Sequence, residues 1–115
     1  MKVEHHEPCQ DALCGSLGGA IKQSNIPSGS DPLRERFGAD LYARRLILSL
    51  EGGGYIDTSG ICWLIDRHHD FERHGGRLVL HSVPPSIEGP LKLLNMHKIF
   101  RIASDRGQAE KLLTS

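Results

Sequence analysis

The sequence predicts one α/β domain over residues 1–115, in which helices pack against a mixed, mostly parallel β-sheet of four or five strands. Three observations support this fold class. The chain has 115 residues, which is the length of a single domain. From residue 45 onward, short apolar runs alternate with helical patterns, and Gly or Pro residues separate them. Such alternation predicts crossover helices between parallel strands.

The first 41 residues carry the weaker pattern. Strands are predicted over residues 2–7 and 12–17, although the glycines in and after the second run lower its strand propensity. A helix is predicted to begin at Pro32, with Asp31 as its cap, and to end near residue 40. Its inward face is predicted to hold Leu33, Phe37 and Leu41.

Apolar runs in the second half of the chain predict buried strands over residues 45–50, 77–81 and 98–102. After a glycine-rich break over residues 51–54, Tyr55–Ile56 resumes the first run. The runs over residues 45–50 and 77–81 are mostly apolar, which is typical of strands that are covered on both faces.

Three helices are predicted between and after these strands. The first follows Gly60 and ends near His74, because Gly75–Gly76 supplies a left-handed stop. The second has Ser86 as its cap, and the third spans residues 105–113. The residues predicted to face inward are Ile61, Leu64, Ile65, His68 and Phe71 in the first helix, and Ile87, Leu91 and Leu94 in the second.

Composition and charge exclude several classes of protein. Fourteen Lys and Arg residues balance 14 Asp and Glu residues, so the formal net charge is zero. A nucleic-acid binder or a polybasic membrane-surface module would concentrate positive charge, so neither is expected. The sequence has no apolar run long enough for a membrane span and no signal-peptide core. Three cysteines cannot all pair within the chain, which suits a reducing compartment, and we expect a cytoplasmic protein.

The segment Asp57-Thr58-Ser59-Gly60 is the place where the pattern predicts chemistry. It joins an apolar run to the start of a helix, where loops of α/β sheets are exposed above a rigid scaffold. Asp57 or Thr58 can accept hydrogen bonds from the N–H groups of the first helical turn. The positive end of the helix also stabilises an added anion, such as a phosphoryl group. From spacing alone, a simple helix cap is the commoner explanation.

This segment and its surroundings resemble a known family. Leu-Ile-Leu-Ser-Leu over residues 46–50, Tyr-Ile-Asp-Thr-Ser-Gly over 55–60 and Gly-Gly-Arg-Leu-Val-Leu over 75–80 resemble the STAS domain. This family contains the bacterial anti-sigma factor antagonists and the cytoplasmic tails of sulfate transporters. The resemblance is close over residues 42–115. It is weaker over the divergent residues 1–41, where Lys22 follows Gly19-Ala-Ile in place of the acid that many members carry.

The resemblance implies a regulatory protein–protein interaction module without catalytic activity. In the antagonists, the residue after the Asp is phosphorylated by a partner serine kinase that is also the anti-sigma factor. In this chain that residue is Thr58, with Ser59 as the second choice. The implied partner-binding residues are Asp57, Thr58, Ser59 and Gly60. Helical spacing adds Trp63 as a half-exposed interface aromatic, and packing under the loop before Asp57 is the competing interpretation.

Other functions are weighed against this one. A second hypothesis is a STAS domain that works without a kinase, either as a stressosome-like scaffold or by binding a small anion, nucleotide or lipid at the helix N-terminus. Either form is compatible with a weak homo-oligomer. No cofactor or metal is expected, because the residues over 5–14 lack zinc spacing and those over 66–74 read as a solvated helix face. Cys62 is interpreted as a small packing residue, and no nucleophile elbow or phosphate-binding loop is present.

Overall fold

The computed structural model describes residues 1–9, 12–26 and 29–113. Its strands are β1 (Lys2–Cys9), β2 (Ala12–Ile21), β3 (Arg45–Ser49), β4 (Gly53–Ile56), β5 (Arg77–His81) and β6 (Arg101–Ala103). Its helices are α1 (Pro32–Phe37), α2 (Thr58–Arg73), α3 (Pro85–Leu93) and α4 (Arg106–Leu113). Short 3-10 turns lie at Gln23–Asn25, Leu41–Ala43 and Met96–Lys98.

The strands form one mixed sheet in the order β1-β2-β3-β5-β6, and β4 pairs with β2 beyond the region that pairs with β3. β1 and β2 are antiparallel, and the other pairs are parallel. The predicted mixed, mostly parallel sheet is therefore confirmed. The described residues contribute six strands rather than four or five, because the glycine-rich run after β3 itself enters the sheet as β4.

Helices cover both faces of the sheet. On β3 and β5, alternate residues belong to two separate apolar clusters. Leu46 and Leu48 pack in the main core with α1, α2 and α3, whereas Ile47 and Val79 pack with α4 on the other face. Full burial of such a side chain contributes about 1.5–3 kcal/mol. Burial on both faces explains why these strands lack polar alternation.

Several predicted boundaries in the chain are wrong, and β2 extends to Ile21 rather than ending at residue 17. α1 ends at Phe37 rather than near residue 40, because Gly38 takes a φ of +112° that glycine adopts readily. Leu41 is fully buried as predicted, but it lies in a 3-10 turn. The last strand is β6 rather than residues 98–102, because the chain continues as a helical turn after Asn95, whose φ is +61°.

The start of α3 also differs from the prediction. Pro84 precedes the helix and no side chain caps it, so Ser86 is not the cap. Pro85 suits the first turn, where its missing N–H needs no partner. Ile87 and Leu91 are fully buried as predicted. Leu94 is 42% exposed, because it follows the last helical residue and no longer continues the inward face.

Candidate functional site

The N-terminus of α2 begins directly after β4. Asp57 is the N-cap, and its Oδ1 accepts a hydrogen bond from the Gly60 N–H at 2.8 Å. The Ser59 hydroxyl donates to the same Oδ1 at 2.6 Å. Together with the positive charge of Lys22, these bonds lower the pKa of Asp57, and the bond from Ser59 has the largest effect. Asp57 is therefore an ionised cap at neutral pH.

The two hydroxyl groups after Asp57 differ in their surroundings. Thr58 is the first residue of α2 and is exposed, and its hydroxyl has no hydrogen-bond partner within the described part of the chain. The Ser59 hydroxyl donates to Asp57 and also accepts the Gln23 N–H at 2.9 Å. Ser59 thus ties α2 to the turn after β2, whereas the Thr58 hydroxyl is available to an external molecule.

Gly60 holds the first turn of α2 against the end of β2. A Cβ at this position would lie 1.9 Å from the backbone oxygen of Ile21, so only glycine permits the observed approach. The Asp57 N–H donates to the same Ile21 oxygen at 3.4 Å. The β2 end, which carries Lys22, is therefore part of the site.

Trp63 and Cys62 are placed differently from the expectations. Trp63 is 8% exposed and belongs to the main core, with the Arg67 guanidinium 5.7 Å from its ring centroid. The expectation of a half-exposed ring is wrong, because α2 also packs against the turns at Gln23–Asn25 and Leu41–Ala43, which widens its buried face. Cys62 is exposed and is not a packing residue.

An apolar groove with a volume of about 250 Å³ lies beside Thr58. Tyr55, Leu93 and Leu94 line it and are 52%, 86% and 42% exposed; these are the large exposed apolar side chains of the described residues. This surface was not predicted from the sequence. Consecutive leucines at the end of a short helix were a usable signal, because one helix face cannot bury both. Tyr55 was a second signal, since it precedes Ile56 and neighbouring strand residues face opposite sides.

Comparison with protein families supports the resemblance seen in the sequence. The model of the STAS domain matches residues 3–109. The chain belongs to the STAS domain family. The match includes both β1 and β2, so the family assignment extends over the N-terminal part whose sequence resemblance was weaker.

Solved structures share the fold of this STAS domain. A Thermotoga maritima protein assigned as an anti-sigma factor antagonist superposes with a TM-score of 0.79 at 17% identity, covering 95% of this chain and 92% of that one. The anti-sigma factor antagonist SpoIIAA, in its unphosphorylated form, gives a TM-score of 0.67 at 13% identity, with coverages of 99% and 98%. An antagonist from Mycobacterium paratuberculosis gives 0.73 at 17% identity, with coverages of 99% and 96%.

The charged face of α2 in this STAS domain is built from ion pairs. Asp70 pairs with Arg67 at 2.9 Å and also with Arg73. His68 is buried on the inward stripe as predicted, and burial lowers its pKa.

Within residues 1–9, 12–26 and 29–113, no three His, Cys, Asp or Glu side chains are grouped to hold a metal ion. The helices of this part of the chain are too short or too polar to cross a membrane.

Proposed function

We propose that this STAS domain is an anti-sigma factor antagonist that binds a serine kinase acting as the anti-sigma factor, and that phosphorylation of Thr58 ends the binding. The observation that carries the proposal is the exposed, unpartnered Thr58 hydroxyl at the edge of the groove formed with Tyr55, Leu93 and Leu94. The fold shared with SpoIIAA and other antagonists supports it. The role requires no catalysis by this chain, and it places the protein with a cytoplasmic partner.

The unmodified surface favours binding through apolar contacts. Tyr55, Leu93 and Leu94 bury exposed area when a partner covers the groove, which stabilises the complex by about 25 cal/mol for each Å² removed from water. A few well-packed side chains of this kind carry most of the affinity in many interfaces. Leu93, as the most exposed of the three, contributes the most area.

Phosphorylation of Thr58 is expected to disfavour binding of the partner at this groove. A phosphoryl group on Thr58 adds a charge of about −1.5 to −2 at the edge of an apolar groove, where a bound partner would exclude water. The neighbouring Asp57 is already ionised, so the added charge is repelled as well as desolvated. The Gly60 N–H, which could otherwise help to compensate the anion, already donates to Asp57.

The alternative hypothesis of a small-anion site at this helix end is weaker, because the Gly60 N–H already donates to Asp57. The Asp57 carboxylate takes the place that a bound anion would need, and its negative charge opposes a second one. We therefore prefer the phosphorylation switch over ligand binding at α2.

Phosphotransfer from the cognate serine kinase with ATP tests the proposal. Wild type and Ser59→Ala should each take up one phosphate, and mass spectrometry of peptides should place it on Thr58. Thr58→Ala should remain unmodified but still bind the kinase. Efficient modification at a site other than residues 58 and 59 would contradict the assignment.

Binding measurements test the docking surface separately. Leu93→Ser should weaken kinase binding by about tenfold or more, because the side chain is 86% exposed and lines the groove. His69→Ser is the matched control, since His69 is exposed farther along α2 and does not line the groove. Thr58→Glu should weaken binding as Leu93→Ser does. Equal binding by Leu93→Ser and His69→Ser would place the contact elsewhere.

A further inference from the structure

A second cavity, of about 270 Å³, lies on the sheet face that α4 covers. Side chains from five elements line it. The polar ones are His6 from β1, Ser49 from β3, His81 from β5 and Arg106 at the start of α4, and Cys14 of β2 and Ile47 of β3 lie beside them. Ser49 and His81 are direct neighbours in the parallel pairing of β3 with β5. The cavity shares no residue with the groove beside Thr58.

His81 is the unusual group in this cavity. It is only 8% exposed, although it is a polar side chain at the end of a strand. Its Nδ1 lies 2.9 Å from the Ser82 hydroxyl, which leaves Nε2 without a hydrogen-bond partner within the described residues. Because His81 lines the cavity, its Nε2 can form a further hydrogen bond with a molecule bound there.

The other polar groups of the cavity are donors. The Ser49 oxygen accepts the Glu51 N–H at 3.3 Å, so its own hydroxyl hydrogen is available to a ligand. Arg106 carries a permanent positive charge, and this charge together with burial lowers the pKa of His81. Burial has the larger effect, and the guanidinium and the imidazole line the same cavity.

Two acidic groups, Asp105 and Glu51, act on the pKa of His81, but neither of them lines the cavity. Asp105 and Glu51 act on His81 in the opposite sense to Arg106, but less strongly than Arg106 does. The Asp105 carboxylate is also occupied at the start of α4, where it accepts the Gln108 N–H at 2.9 Å. Across the cavity, the His6 imidazole is near the Ser16 hydroxyl at 3.0 Å. Among the described residues that line the cavity, Arg106 carries a positive charge and none is Asp or Glu, which favours an anion over a cation.

We propose that the cavity lined by Ser49, His81 and Arg106 binds a phosphate group, either as free phosphate or as a small phosphate monoester. A guanidinium, an imidazole and a hydroxyl offer three donors to a tetrahedral anion, and an Arg–phosphate contact is among the stronger charge-assisted hydrogen bonds. The volume accommodates a phosphate with a short organic group and is below that of most sites for drug-sized ligands.

NMR titration of the ¹⁵N-labelled protein with inorganic phosphate, against sodium chloride at matched ionic strength, tests this site. Saturable shifts are expected at Ser49, His81 and Arg106, together with a rise in the pKa of His81 when phosphate is bound. Arg106→Gln should weaken binding about tenfold. Lys111→Gln, which removes the same charge elsewhere on α4, should change it less than about twofold.

Further probes and variants distinguish free phosphate from a phosphate monoester as the ligand and provide controls. Glycerol 3-phosphate and glycerol form a pair that differs only in the phosphate, so binding of the ester without binding of inorganic phosphate would assign the site to monoesters. Ser49→Ala provides a second variant, and Thr58→Ala should bind phosphate like wild type. Absence of saturable shifts with both phosphate probes, or equal binding by Arg106→Gln and Lys111→Gln, would overturn the proposal.

Discussion

Substitution of Gly60 by alanine tests how the site is attached to the sheet. The added Cβ would lie 1.9 Å from the Ile21 oxygen and 2.7 Å from the Ile21 carbonyl carbon. Carbon–oxygen contacts need more than 3 Å, so α2 and the β2 end must separate by about 1 Å or more. That movement also weakens the bonds from Gln23 to Ser59 and from Asp57 to Ile21. The higher helix propensity of alanine offsets only about 1 kcal/mol of this loss in the free energy of unfolding.

We expect Gly60→Ala to lower the free energy of unfolding by about 3 kcal/mol, since overpacking costs about 1–3 kcal/mol and weakened hydrogen bonds add to it. For a domain of this size the melting temperature should fall by about 10 °C. Thermal and urea unfolding followed by circular dichroism measure both quantities.

Gly89→Ala is the matched control for this substitution. Gly89 also lies inside a helix, but a Cβ there meets no atom within 4 Å. The higher helix propensity of alanine favours this change, but its Cβ crowds the ring of Pro90 in a helical conformation, so Gly89→Ala should change the free energy of unfolding by less than about 1 kcal/mol. A Gly60→Ala protein as stable as wild type would refute the close approach of α2 to β2.

Three further outcomes are expected. Tyr42→Phe removes the 2.6 Å hydrogen bond to Asp31 and should lower the free energy of unfolding in urea by about 1 kcal/mol. Because burial raises the pKa of Tyr42, the wild-type protein should also lose stability above about pH 10 in an alkaline titration. The pKa of Asp57 is lowered in the fold, so its carboxylate stabilises the folded state at neutral pH and this stabilisation is lost in acid. Below about pH 4, the wild-type protein should therefore lose stability more steeply than Asp57→Asn in acid unfolding. Leu91→Ala should cost about 2–5 kcal/mol and Leu93→Ala less than about 0.5 kcal/mol in the same urea assay, because Leu91 is fully buried and Leu93 is exposed.

The α/β class and most helices were predictable because local chemistry decides them. The runs at β3 and β5 are apolar on both faces, and the structure buries both faces. Asp31 caps α1 through the Arg34 N–H at 3.2 Å, and Gly75 takes the predicted left-handed conformation with a φ of +82°. In each case one residue or one short run determines the conformation.

The errors arose where tertiary packing decides instead. Trp63 is buried because turns distant in sequence pack against α2, and no periodicity within the helix reports those contacts. β4 contains Gly53, whose missing side chain suits its place beside Ile87 of α3, although glycines are unfavourable in strands. The pairing of β4 with β2 therefore outweighs the low strand propensity of the glycines in β4.

The candidate site was predictable only in part for the same reason. The capping pattern and the exposed Thr58 follow from local sequence. The distinction between Thr58 and Ser59 does not, because it depends on the Gln23 N–H, 36 residues away from Ser59. Tyr55 and Leu94 likewise meet across the groove only after β4 and α3 have packed together.

Lys22 determines the electrostatic character of the proposed switch. Its positive charge acts on Asp57, so the ionised carboxylate beside the apolar groove is partly compensated before any modification. A family member with an acid in this place would present net negative charge to its partner even before phosphorylation. In the proposed switch, phosphorylation of Thr58 adds a charge of about −1.5 to −2 where Lys22 compensates part of the charge of Asp57. We therefore expect the proposed partner to contact this chain mainly through apolar groups and to be released when phosphorylation adds negative charge at Thr58.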